Sequence, residues 1–192
     1  DGVVVLFSHF VSTGSQPHFG SIWTQAHGFT DLGDLPGGTL YCAPNGLSSD
    51  GSVVVGTSDS AKGVEAFRWD ARNGIQGLGD LPGSVVYSDG VDVSADGSVI
   101  VGSGLLEPGR EAFRWTVDTG MVALGELPGG AHNSQATGVS GDGSVVVGHS
   151  IVLPGTVGNL TAAFVWDSHY GMRELRQALI DMGVSGFAQW NL

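Results

Sequence analysis

Three acids recur at one place in a repeated phrase. Asp34 and Asp80 stand in LGDLPG, and Glu126 stands in LGELPG. Paired carboxylates facing each other across a cleft are the machinery of glycoside hydrolysis, one protonating the leaving oxygen and the other acting as base or nucleophile. Equivalent positions on a repeated scaffold fall on one rim, so a carbohydrate-active hydrolase using these rim acids is one reading. A solvated acid beside a turn accounts for the same residues without further assumption, and is preferred. Nucleophilic catalysis needs a base within reach of a nucleophile. The chain has no G-x-S-x-G, and its single cysteine, Cys42, has no recognisable motif around it. Ser48, Ser94 and Ser140 repeat in register and are read as supports of a turn. Zinc motifs need closely spaced ligands, whereas His9, His18 and His27 are nine apart and His132, His149 and His169 are scattered. Calcium suits the oxygen-rich acidic rim better, although no D-x-[DN]-x-[DN]-G loop is present. The expectation is a protein without catalytic residues or a cofactor, with calcium as the one metal its residue types favour.

Composition narrows the partners. Among 192 residues, 7 are Lys or Arg and 19 are Asp or Glu, for a formal net charge of −12. A nucleic-acid footprint needs clustered basic residues, and an anionic membrane surface would repel this chain. No apolar run reaches the roughly 18 residues of a membrane span. The chain has 33 Gly yet is 41% apolar, which reads as many short strands joined by tight turns. A start on Asp1 without Met reads as a piece of something longer.

The elements that must position these residues come from an internal repeat. Asp-Gly falls at Asp1, Asp50, Asp96 and Asp142, and Trp23, Trp69, Trp115 and Trp166 keep nearly the same step. The units 1–49, 50–95, 96–141 and 142–192 form a single repeat domain. Each offers four short β segments: DGSVVVG, EAFRW, a run ending in LPG, and a strand before the next Asp-Gly. Asp-Gly is read as the centre of a type I′ hairpin with both residues at positive φ, and Pro-Gly at 36, 82 and 128 as type II turns. SVVV is apolar throughout, as in a strand covered on both faces. Phe67 with Trp69, and Phe113 with Trp115, share one face of a strand; Phe164 and Trp166 repeat the pair. These pairs are expected to be buried between blades, with Arg68 and Arg114 opposite them, beside the rim acids. A small sheet covered on both faces every 46 residues or so predicts an all-β fold, a β-propeller of four blade-like repeats. In the last unit, residues 171–183 replace the LPG loop, and Leu175, Leu179 and Met182 at helical spacing predict a short helix. Residues 186–192 resemble the strand that normally precedes Asp-Gly, so the segment from Trp190 to Leu192 is expected to run beside Val3 to Val5, in the same chain or a partner.

The phrase EAFRW…GM…LGELPGG…ATGVSGDGSVVVG resembles the HAF-repeat family of extracellular bacterial repeat proteins. The motif falls on residues 66–69 and 112–115. Unit four keeps Ala163, Phe164 and Trp166 but has Val165 for Arg, and Glu65 and Glu111 stand where the family has histidine. The resemblance implies an exported protein, part of a larger surface or autotransported polypeptide, and brings no shared catalytic residues. Propeller loops that differ between blades are where recognition resides. Here the segments after VVVG differ most: TSDSAKGV, SGLLEPGR and HSIVLPGTVGNLT. The expected role is binding of protein or carbohydrate at a cell surface, or self-association.

Overall fold

The computed structural model describes residues 4–10, 18–83, 85–152 and 160–186. Strands β1 (Val4–Phe10), β2 (His18–Thr24) and β3 (Gly28–Asp31) form a three-stranded antiparallel sheet. Three four-stranded antiparallel blades follow. The second comprises β4 (Cys42–Leu47), β5 (Val53–Ser60), β6 (Gly63–Asp70) and β7 (Gly74–Gly77). The third comprises β8 (Val86–Val93), β9 (Ile100–Leu106), β10 (Gly109–Thr116) and β11 (Gly120–Ala123). The fourth comprises β12 (Gly130–Val139), β13 (Val145–Val152), β14 (Leu160–Asp167) and β15 (Gly171–Glu174). A helix, α1 (Leu175–Asp181), completes the described chain. The expected meeting of Trp190 to Leu192 with Val3 lies outside the described residues. Among those described, the succession of sheets does not close.

Sequence units and blades are out of step by one strand. Asp50-Gly51 lies between β4 and β5 of one blade, so each unit of sequence ends with the strand that opens the next blade. Short parallel contacts join successive blades, Gly63 with Val86 and Arg110 with Asn133. Buried serines fasten the same seams. Ser88 Oγ accepts from Ala66 N at 2.9 Å and donates to Gly79 O at 2.7 Å, and Ser134 Oγ repeats this with Ala112 N and Gly125 O.

The Asp-Gly turn differs from the sequence expectation. Gly51, Gly97 and Gly143 have φ of 74°, 73° and 71°, but their Asp neighbours are not at positive φ. Gly51 N donates to Ser48 O at 2.9 Å, closing a type I turn with glycine at its last position. The Asp side chain replaces the conformational demand: Asp50 Oδ1 accepts from Ser48 Oγ, Ser52 N and Ser52 Oγ at 2.7–2.9 Å. Asp96 and Asp142 hold the same three donors. The Pro-Gly turns fit at Gly37 (φ 82°) and Gly129 (φ 77°), but Gly83 is not at positive φ.

The core lies between blades, in three clusters. Phe67, Phe113 and Phe164 are fully buried; Trp69 is buried, and Trp115 and Trp166 are partly so. Each Phe points toward the preceding blade, where Ile22 and Leu35 receive Phe67 alongside Val54 of its own blade. The other face of each blade, Val53, Val55 and Ala66 in the second, meets the next blade's Ile100 and Phe113. The glycine that ends each VVVG lies under this Phe. A Cβ on Gly102 would come 1.8 Å from Asp89 O and 3.0 Å from the Phe113 ring, and Gly56 and Gly148 are as tightly placed. In the first sheet the sizes are exchanged: Phe7 stands at the glycine position and Ser21 at the phenylalanine position.

The helix begins at Leu175, the first residue of the predicted spacing, and residues 171–174 before it extend the sheet as β15. Ala178 is its buried residue, while Met182 is 67% exposed and outside the core.

Candidate functional site at the loop rim

The LPG loops and the tips of the β5–β6 and β9–β10 hairpins lie together on one rim. Ala61 N, in the β5–β6 tip, donates to Pro36 O at 3.1 Å. Leu35, Leu81 and Leu127 anchor these loops by inserting into the seam with the following blade. Shallow clefts form where a loop meets the next hairpin tip. One is lined by Pro36, Ser60, Ala61, Lys62 and Glu65, and another by Gly83, Val85, Leu105 and Pro108. The hairpin tips that line them share only a closing glycine, Gly63 or Gly109, so the backbone frame repeats and the side chains it carries do not. The tip between β13 and β14 lies outside the described residues.

The three sequence-matched acids have different surroundings. Asp80 accepts from Leu81 N and Tyr87 N, both at 2.9 Å, and burial pushes its carboxyl up despite those bonds. Glu126 accepts from His132 N at 2.9 Å and pairs with His132 Nδ1 at 2.7 Å. Asp34 is half-buried beside Leu35. The closest acid pairing falls within a blade, between different positions from those the repeat matched. Glu65 of β6 adds its charge to Asp80, and Glu111 of β10 faces Glu126. Burial, and then the Glu126 charge, raise the Glu111 carboxyl.

Glu111, Glu126 and His132 bring their ligand atoms within 4.8 Å of one another. This is the one group of three such residues among those described, and two carboxylates with an imidazole match a borderline divalent cation better than calcium, which takes oxygen. Sequence spacing did not reveal it, because Glu111 arrives from a strand and His132 from the far side of a turn. The other histidines do not cluster with them: His18 is buried against Tyr41, and His27 and His169 lie in exposed turns.

Two arginines depart from expectation. Arg68 pairs with Asp70 in its own hairpin, and Arg114 donates to Gly143 O on the opposite rim, so neither neighbours the rim acids. Cys42 is buried and its thiol is pushed up to about 12 by burial, the opposite of a reactive thiolate. Ser48, Ser94 and Ser140 are turn supports, each accepting a backbone N–H from five residues on.

Blades of four antiparallel strands, packed face to face around apolar seams, define a β-propeller fold, and solved structures agree. A putative TolB from Agrobacterium tumefaciens matches with a TM-score of 0.58 and 16% identity, over 90% of this chain and 60% of that one. TolB from Acinetobacter baumannii matches with a TM-score of 0.56 and 13% identity, over 91% of this chain and 43% of that one. Oligogalacturonate lyase from Vibrio parahaemolyticus is more distant, with a TM-score of 0.45 and 12% identity, over 90% of this chain and 48% of that one. The chain thus spans less than two thirds of each. No family model matches it, and a search of curated proteins finds no match. These likenesses concern the fold. No helix is long and apolar enough to cross a membrane among the described residues.

Proposed function

We propose that this chain is a non-enzymatic repeat module for binding or assembly at a cell surface or outside the cell, with the HAF-repeat resemblance of its motif as its family. The observation that carries the reading is the rim. Repeated Asp-Gly turns, glycines and buried Phe residues hold the blades in one geometry, while the hairpin tips at 60–63 and 106–109 share only their closing glycines, Gly63 and Gly109. A frame held constant beneath a surface allowed to vary is the arrangement of a recognition surface. The rim acids support it indirectly, since Asp80 and Glu126 spend their oxygens on backbone and His132 donors within their own loops. The ligand class is a protein or a carbohydrate.

The rival reading is a carbohydrate-active hydrolase using the rim carboxylates Asp34, Asp80 and Glu126, with Glu65 and Glu111 as the acids beside Asp80 and Glu126. An oligosaccharide array read for both retention and reducing-end release separates the two. Retention without turnover is expected. Turnover abolished by Asp80→Asn or Glu126→Gln would replace the binding reading with the enzymatic one.

A further inference from the structure

Among the described residues, the first and fourth sheets each leave one face uncovered, and the two faces are opposite halves of the seam that the chain already builds between its own blades. On the first sheet, Val5 is 37% exposed, whereas its counterparts Val54, Ile100 and Val146 are fully buried against a preceding blade. Phe7 and Phe29 lie beside it, 39% and 69% exposed, their rings 5.2 Å apart, and with His9 and Ser21 they line an open cleft. On the fourth sheet, Val147 is 40% exposed, whereas Val55 and Val101 at the same register are fully buried against the next blade. Val145 and Ala163 share that face, as Val53 and Ala66 do in the second blade.

Both ends also rearrange the repeat on these faces. Val165 stands where Arg68 and Arg114 stand, on the face that looks to the next blade, and the arginine moves one strand over to Arg173, beside Asp167, where the other blades have Gln76 and Val122. Phe7 stands where the repeat has glycine. α1, in place of the loop whose leucine enters the next seam, carries exposed Ile180, Met182 and Val184. Phe29 takes the place of Ile75, Met121 and Met172, so the open face of the first sheet holds a seam's apolar side chains in water.

We propose that the occupant of these faces is a second copy of this chain, docked head to tail, with the first sheet of one copy seated on the fourth blade of another. The three seams within the chain join these same register positions, and the first sheet keeps one phenylalanine at the pair that fills each seam, Phe7 opposite Ser21 in place of Phe67 opposite Gly56, so the interface continues one already built within the chain. Such a contact is heterologous, so it closes into a ring or extends, according to the splay between blades. The proposal rests on the assembly half of the reading above, and rim recognition is independent of it.

The experiment is sedimentation velocity with light-scattering mass, on the parent chain and on two variants. Phe29→Glu places a charge on one face and Val147→Glu on the other, both at exposed positions. The parent is expected to gain mass with concentration. Each variant alone loses association at its altered face, and therefore altogether, because every contact needs one face of each kind. An equimolar mixture regains it, since Val147→Glu keeps the first face and Phe29→Glu keeps the fourth, and stops at a 1:1 dimer. Far-UV circular dichroism reports folding, and Phe29→Ser with Val147→Thr form a gentler pair expected to show the same order. A parent that stays monomeric at every concentration overturns the proposal. So does a single variant that still dimerises, or a mixture no heavier than its components. The oligosaccharide array is unaffected by these outcomes, so the two readings fail separately.

Discussion

Replacing Phe113 by Ala isolates the interaction that defines a seam. Its side chain is fully buried among Val53, Val55, Ala66 and Ile100, and its ring rests on Gly102. Removing a buried aromatic forfeits roughly 2–3 kcal/mol of transfer free energy, and the residual cavity brings the usual loss to about 3–5 kcal/mol. The upper part of that range is expected here. Relaxation is restricted because the floor of the site is a glycine backbone already against Asp89 O, with no side chain to swing inward. A domain is stable by only about 5–15 kcal/mol, so the loss is a large share. Equilibrium unfolding in urea, followed by tryptophan fluorescence, measures it directly, because Trp115 packs on the same cluster. Phe7→Ala is the internal control, since its ring is 39% exposed in the monomer and should cost under about 1 kcal/mol. A Phe113→Ala midpoint within about 1 kcal/mol of the parent, with an unchanged slope, would refute the assignment of faces and the seam built on it.

Gly102→Ala should destabilise by about 1–3 kcal/mol or more through overpacking, read by the same titration, because its Cβ has no free volume toward Asp89 O. Asp50, Asp96 and Asp142 are held down to about 2 by backbone and hydroxyl donors: Ser52 N leads for Asp50, and the Ser94 and Ser140 hydroxyls lead for the other two. Their folded values lie below the ordinary 3.8, so their stabilisation is present above that value and is lost as pH falls through about 2. The triple Asn variant should show a flatter acid branch in thermal melts between those limits, and an unchanged branch would exclude the turns as its source. Glu111 has the opposite sign. Its carboxyl is raised, so ionisation above the ordinary carboxylate range opposes folding, and Glu111→Gln should raise the Tm at neutral pH but not at pH 4. Cys42 should resist a thiol reagent until urea unfolds the chain, and prompt labelling of the native protein would contradict its burial.

How much of this was legible depended on whether a residue acts within its own repeat or across a fold. The interval between Trp69 and Trp115, and the two-residue spacing of Phe113 and Trp115, were enough to place blades and their buried faces, because strand alternation is local. The Asp-Gly phrase announced a hairpin but misled on its type. Backbone preference argued for two positive φ values, whereas Asp50 satisfies the turn through its side chain and leaves only Gly51 in the left-handed region. The acids of the LPG loops were matched across repeats, but charge couples them within a blade, to Glu65 and Glu111. Only the return of a loop onto its own strand reveals that. His132 was unreadable for the same reason, six residues and a turn from Glu126. Ser88 and Ser134 carried no motif, although each fastens two segments of backbone out of reach of water.

The one-strand offset between sequence unit and blade bears on how such a gene changes length. Had each unit folded into its own blade, a copying slip that doubled it would append an autonomous piece joined by a linker. Because every unit closes one blade and opens the next, an inserted copy has no complete form of its own, and its strands pair with those on either side. The insertion point therefore hardly matters: a duplication of one period, begun anywhere, restores every antiparallel ladder and adds one blade's width. A slip of any other size would strand a β segment without its neighbour. Selection on folding alone would thus keep the spacing near one period and leave the number of copies free to drift. The interval of 46 between Asp50, Asp96 and Asp142 is what that constraint looks like in a sequence.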